Sequence, residues 1–135
     1  MSDKYFLDTN ILVYAHTDVD ITKQSIAQQL IATLPTHIST QVIQELSNIA
    51  FKKLKYPWEK VREVLEDVST NNTVFINTYE TIKKATYIAE QYKFSFYDSL
   101  IIAAALTCQC QILYSEDMQD GQVIEGTLTV KNPFM

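Results

Sequence analysis

Four acidic residues stand where chemistry could be done. Asp8 follows Tyr5-Phe6-Leu7 directly and Asp117 comes just after Ile112-Leu113-Tyr114, so both fall at the exits of β-type runs. Glu45 lies on a helical run, about 100° from Leu46 and beside the apolar stripe of Val42, Leu46 and Ile49. Asp98 shares the side of Ile101, Ile102 and Ala105 in an almost wholly apolar helix, which predicts a buried carboxylate in need of a partner. Each acid alone has a structural reading. Asp8 can cap a helix starting at Thr9, Glu45 can sit in solvent, Asp117 can form a turn, and Asp98 can close a capping box with Ser95. Together they imply more. In an open α/β sheet the ligand crevice lies beyond the carboxyl ends of the strands. Carboxylates a few ångströms apart there repel by roughly 4 kcal/mol per pair at an effective dielectric of about 20, so the fold needs a counter-ion. Oxygen donors without His or Cys suit a hard cation, Mg²⁺ or Mn²⁺. Such ions polarise a phosphodiester, acidify a bound water and stabilise the leaving oxygen of an in-line displacement, so the chemistry implied is phosphodiester hydrolysis.

The elements that must position these acids follow from periodicity. Strand-like runs occur at Tyr5-Phe6-Leu7, His37-Ile38-Ser39, Val74-Phe75-Ile76, Ile112-Leu113-Tyr114 and Leu128-Thr129-Val130. Between them, Ile26, Ala27, Leu30, Ile31 and Leu34 recur at helical spacing, as do Val42, Ile43, Leu46, Ile49 and Ala50. A further helix is expected from Pro57, with Trp58, Val61, Leu65 and Val68 on one face. Another follows Asn77-x-x-Glu80 and carries Tyr79, Ile82, Ala85, Ala89 and Tyr92; the last runs from Phe96 to Thr107. Alternating strands and helices predict an α/β fold in three layers, a mostly parallel sheet flanked by helices, and a length of 135 residues predicts one domain over 1–135.

Composition narrows the function. With Gly121 and Gly126 the only glycines, there is no phosphate-cradling glycine loop of the P-loop or dinucleotide type. The longest apolar run, Leu100 to Leu106, is far short of the ~20 residues of a membrane helix, and the charged start (Asp3, Lys4, Asp8) does not read as a signal peptide, so a cytoplasmic location is expected. Cys108 and Cys110 are expected as reduced structural thiols. The net charge is −5, from 16 acids against 11 bases, the wrong sign for gripping nucleic acid by bulk charge. Two divalent ions in the acidic site would bring it to about −1.

These residues resemble the PIN-domain nucleases, and within them the VapC-type toxins of toxin–antitoxin pairs. Asp8-Thr9-Asn10 after the opening strand is similar to the family's first acidic motif, and Ser39-Thr40-Gln41 leading to Glu45-Leu46 to its second. Phe96-Tyr97-Asp98-Ser99-Leu100 resembles the third motif, and Leu113-Tyr114-Ser115-Glu116-Asp117 the fourth. The resemblance implies Asp8, Glu45, Asp98 and Asp117 as metal-binding catalytic acids, with Thr9, Asn10 and Ser115 as supporting polar groups. It also implies Mg²⁺- or Mn²⁺-dependent cleavage of an RNA substrate, a homodimer, and a small cognate antitoxin as inhibitor. In the fourth motif Glu116 stands where Asn is frequent, which leaves open whether Glu116 joins the metal shell or Asp120 supplies an outer carboxylate.

Arg62 is the only arginine, so lysines would have to steer RNA. Lys52, Lys53, Lys55 and Lys60 form the densest basic stretch, with an RNA-steering surface and an ordinary solvated face as its two readings. Tyr14, Trp58, Tyr79, Tyr87 and Tyr92 are of the type that stacks on unpaired bases, though helical core spacing assigns most of them to packing. His16 reads as a loop residue. A phosphatase or receiver using Asp8 as nucleophile is disfavoured by Asn10, which stands where the Asp-x-Asp pattern has its second acid. The remaining alternative is a non-catalytic PIN-like module that binds RNA or protein.

Overall fold

The computed structural model of the chain describes residues 3–135, so Met1 and Ser2 of the expected 1–135 span lie outside the described residues. The elements run β1 (Tyr5–Leu7), α1 (Thr9–Ala15), α2 (Ile21–Thr33), β2 (Thr36–Ser39), α3 (Thr40–Lys52), α4 (Trp58–Asn71), β3 (Thr73–Phe75), α5 (Tyr79–Tyr92), α6 (Phe96–Thr107), β4 (Ile112–Tyr114), β5 (Val123–Ile124) and β6 (Leu128–Lys131). The strands form one sheet in the order β3-β2-β1-β4-β6-β5, parallel throughout except that β5 runs antiparallel to β6. Six helices flank it. The expected α/β architecture with a mostly parallel sheet is therefore the observed one.

Apolar character explains the centre. Phe6 and Leu7 of β1, Ile38 of β2, Leu113 of β4 and Val130 of β6 are completely buried, as central parallel strands must be when helices cover both faces. Helix α6 buries every residue from Ser99 to Ala105, which is why its sequence is apolar nearly all round. Helix α1 was expected only under the N-cap reading of Asp8; its seven residues follow β1 after Asp8 alone. Strand β5, which was not expected, is two residues long and lies within the glycine-bearing stretch after Glu116. Gly121 and Gly126 both adopt left-handed backbone, which turns the chain on either side of β5.

Three expectations are corrected in detail. Thr78, not Asn77, caps α5, its hydroxyl accepting from Thr81 N at 3.2 Å. The buried face of that helix is Thr81, Ala85 and Ile88, which leaves Tyr79 and Ile82 exposed. Pro57 is the N-cap of α4 rather than its first residue, and Trp58 is 53% exposed while Val64 takes its place in the core. Cys108 and Cys110 are free thiols, as expected.

The strand order gives the sheet its reactive edge. From β1 the chain proceeds to β2 and β3 on one side, then crosses to β4 on the other side of β1. Connections leave β1 and β4 in opposite directions, and a crevice opens beyond their carboxyl ends, where ligands of such sheets bind.

Candidate active site

Parallel register brings the first and fourth motifs together. Leu7 pairs with Tyr114, and Asp8 N donates to Tyr114 O at 3.0 Å, so Asp8 and Ser115 leave neighbouring strands side by side. Ser115 is fully buried; its hydroxyl donates to Asp8 Oδ2 at 2.8 Å and accepts from the amides of Asp117 and Met118 at 3.2 and 3.3 Å. Asp8 is the N-cap of α1, with Oδ1 accepting from Thr9 N at 2.8 Å. The N-cap reading and the site reading of Asp8 thus both hold: the carboxylate that starts α1 also forms the floor of the crevice.

That crevice is a pocket of about 480 Å³, lined by Asp8, Glu45, Asp98 and Asp117 together with Thr9, Asn10 and Glu116. Helix α3 carries Glu45 to it, and Thr9 Oγ1 donates to Glu45 Oε1 at 2.6 Å. Helix α6 presents Asp98 in its first turn, where Ser95 caps the helix by accepting from Asp98 N at 3.1 Å. Asn10 Nδ2 reaches Asp117 Oδ2 at 3.0 Å and Asp8 Oδ2 at 3.5 Å, so one amide spans the first and fourth motifs. All eight residues singled out in the sequence lie in or directly beneath this pocket.

Their protonation follows from burial and mutual charge. Asp8, only 7% exposed, has its pKa pushed from 3.8 up to about 6, by burial first, against the hydrogen bonds from Ser115 and Thr9, with small additions from the charges of Asp98 and Glu45. Asp98 is also held above the usual carboxylate range, by burial first and by the charge of Asp117. It is half-buried at the pocket's rim rather than sunk with Ile101 and Ile102, because the first turn of α6 projects beyond the sheet edge.

The four acids share the pocket without forming a ready cage for an ion. Among the described residues, no three Asp, Glu, His or Cys side chains converge closely enough to hold one ion as they stand. Asp8, Glu45 and Asp117 accept hydrogen bonds from the neutral donors Ser115, Thr9 and Asn10, and Asp117 is exposed, while the charges of the four acids still act on one another through Asp98. The donor chemistry still fits Mg²⁺ or Mn²⁺: carboxylate, hydroxyl and amide oxygens line the pocket without His or Cys.

Glu116 and Asp120 have other partners. Lys23 of α2 pairs with Glu116 Oε2, Tyr14 OH donates to Glu116 Oε1 at 2.6 Å, and the Lys23 ammonium lies 4.8 Å from the Tyr14 ring centre. Burial raises the Glu116 carboxyl, but the hydrogen bonds from Lys23 and Tyr14 outweigh it and leave the group below its usual range. Asp120 accepts from Asn132 N at 2.7 Å, away from the pocket. Sequence reasoning missed the Lys23 contact, which joins residues 93 apart with no local signal. It also passed over Gln41, although its motif was in view. Gln41 is 4% exposed and lines the pocket; its Nε2 donates to Tyr97 O at 3.0 Å and its Oε1 has no protein partner.

Comparison with known proteins gives one family and one fold. Residues 5–119 match the PIN domain. No curated protein matches the chain in sequence. Among solved structures, the chain is similar to a toxin–antitoxin complex from Klebsiella pneumoniae (TM-score 0.72, 19% identity, covering 96% of this chain and 97% of that one). It is also similar to Mycobacterium tuberculosis VapC20, described as a toxin that cleaves the sarcin–ricin loop (TM-score 0.70, 19% identity, 84% and 89% covered). A third similar structure is DNA-bound VapBC from Salmonella typhimurium (TM-score 0.69, 18% identity, 98% and 99% covered).

Proposed function

Because this chain belongs to the PIN domain family, with the match spanning residues 5–119, we propose that it is a Mg²⁺- or Mn²⁺-dependent endoribonuclease and the toxin half of a toxin–antitoxin pair. The observation that carries this reading is the shared pocket: carboxylates 109 residues apart in sequence, Asp8 to Asp117, meet beyond the carboxyl ends of β1 and β4.

In this reading Asp8, Glu45, Asp98 and Asp117 hold the ion or ions. A bound divalent ion supplies Lewis acidity at the scissile phosphate and acidifies the attacking water. Ser115 and Thr9 N orient the Asp8 carboxylate, and Thr9 holds Glu45 in the pocket. Asn10 keeps the first and fourth motifs in register by donating to Asp117 and accepting from Glu116 N at 3.3 Å. Glu116, tied to Lys23, acts as a support for the loop and not as a ligand.

The neighbouring VapBC and toxin–antitoxin complexes support a small antitoxin as partner, and the proposed site of action is the cytoplasm. Among the described residues no helix is long and apolar enough to cross a membrane. The test is incubation of the purified chain with single-stranded and structured RNA in Mg²⁺, Mn²⁺ or EDTA, alongside Asp8→Asn. Cleavage is expected only with a divalent ion and wild-type Asp8; cleavage that persists in EDTA or in the variant overturns the reading. RNA binding without turnover under every condition indicates the non-catalytic module instead.

A further inference from the structure

The turn between α3 and α4 carries a feature the hydrolytic site does not use. Five of the chain's eleven Lys and Arg residues fall in positions 52–62 (Lys52, Lys53, Lys55, Lys60 and Arg62), against Glu59 as the only acid there. In a chain of net charge −5 this is a local reversal of sign. Lys55 adopts left-handed backbone (φ 60°), and Tyr56 N donates to Ala50 O at 3.0 Å, so the chain folds back and lays the start of α4 over the end of α3. As a result Trp58 stacks on Phe51, ring centres 3.9 Å apart and planes within 6°. Neither ring is core: Phe51 is 39% exposed and Trp58 53%. Beside them Phe51, Lys52, Lys55, Tyr56 and Pro57 line an open groove of about 650 Å³, and the Lys60 ammonium sits 4.0 Å from the centre of the Tyr56 ring.

The end of α3 contributes to both this groove and the acidic pocket. Ile49 and Lys53 line the pocket, while Phe51 and Lys52, on the same last turn of α3, line the groove. Around α3, at 100° per residue, Lys52 stands about 100° from Lys53 and Phe51 about 160°, so a polyanion with one phosphate among the carboxylates and the next at Lys53 reaches the aromatic pair by rounding the end of the helix. We infer that the α3–α4 turn is a docking ledge for unpaired RNA, in which a base stacks on the Phe51–Trp58 pair and flanking phosphates lie against Lys52, Lys53 and Lys55. The occupant is an unpaired strand because a base in a duplex has no free face to offer, whereas an unpaired base stacks on an aromatic ring whatever its identity. The charge points the same way, since a surface this basic complements phosphate. The inference rests on the ribonuclease reading for its biological meaning but not for its test.

Trp58 is the only tryptophan of the chain, so its emission reports on the ledge directly. The full chain in EDTA, where the proposed cleavage is silent, is titrated with a twelve-nucleotide oligo(A), with the same strand annealed to its complement, and with inorganic polyphosphate. Quenching of Trp58 by the single strand and by neither control is expected. Trp58→Ala is expected to weaken binding of oligo(A) about ten- to a hundredfold, Trp58→Phe to restore most of it, and Lys52→Gln to reduce the slope of log affinity against log salt by about 0.7. Far-ultraviolet circular dichroism checks that each variant is folded, and the emission readout needs no variant. Tight oligo(A) binding with unquenched Trp58 and an unaffected Trp58→Ala overturns the ledge while leaving the ribonuclease reading intact. Quenching and binding without cleavage in Mg²⁺ keeps the ledge and removes the ribonuclease. A Trp58 response to an antitoxin peptide and none to RNA overturns the inference in favour of protein docking.

Discussion

A carboxyl group buried as deeply as that of Asp8 makes folding stability depend on pH in a direction opposite to most acids. In the unfolded chain the group ionises near 3.8, and in the folded chain near 6. Between these values the folded state holds the extra proton, so its contribution to stability is full below pH 3.8 and is lost as pH rises through 6. The loss amounts to about 3 kcal/mol. Denaturation of the metal-free wild type and Asp8→Asn from pH 4 to 7 measures it: the wild type should weaken relative to the variant across that window, and parallel curves would contradict the burial. Asp98 tests the mutual charge. Burial and Asp117 hold it above the usual range, so Asp98→Asn should stabilise the metal-free protein by less than ~1 kcal/mol, its partial exposure limiting the gain. Mg²⁺ at a hundred times its dissociation constant stabilises a single-site protein by about 2.7 kcal/mol. This shift should be present in the wild type, absent in Asp98→Asn, and retained in Glu116→Gln if Glu116 serves Lys23 and not the ion. Thermal melts with and without Mg²⁺ separate the three.

At the scale of elements, what was legible was whatever repeats or alternates. The apolar triplets of β1 and β4, Val42 and Leu46 on α3 and the apolar run of α6 all follow from burial on a sheet and appear where periodicity places them, while Ile49 of the expected α3 stripe is only part-buried and Ala50 is buried instead. Helix α1 was legible only through its Asp8 cap, because Ile11, Leu12 and Ala15 are buried within a seven-residue stretch too short to show a period. Strand β5 escaped because two residues, Val123 and Ile124, carry no pattern. Tyr79 and Ile82 misled because an apolar residue on a helix need not face the core. Of the site, Asp8 and Asp117 were legible from strand exits, Asp98 from a helix start and Glu45 from its place beside an apolar stripe, and Thr9, Asn10 and Ser115 from the family resemblance, whereas which donor meets which carboxylate is set by contacts made only on folding. One helix end offers a direct check. Lys93 ends α5 in left-handed backbone (φ 64°), a conformation that costs a residue with a Cβ about 1 kcal/mol and glycine almost nothing. Lys93→Gly should therefore raise the unfolding free energy by up to ~1 kcal/mol, read as a higher denaturation midpoint at unchanged slope; a loss of stability would show that the Lys93 side chain makes a contact worth more than the strain.

The whole molecule leaves one surface unexplained by fold or pocket. With Thr81, Ala85 and Ile88 turned inward, α5 carries Tyr79 and Tyr87 on its outer face, 70% and 60% exposed, with Ile82 at its border. Phe96 and Tyr97 of α6 are exposed as well and pack edge to face at 5.4 Å, and α5 packs against α6. Clusters of large exposed apolar groups mark association surfaces more often than solvent faces, and a two-fold pairing of identical chains is the commonest way of covering one. The family resemblance of the sequence implies the same pairing. We propose that a homodimer pairs through the α5–α6 face, on elements other than the α3–α4 ledge. Sedimentation equilibrium should return twice the 15.5 kDa chain mass. Tyr79→Glu combined with Ile82→Glu should shift the protein to monomer with its helix content intact, because both side chains already lie in solvent within one chain. If the double variant remains dimeric, or the wild type sediments as a monomer at micromolar concentration, α5 is not the pairing face.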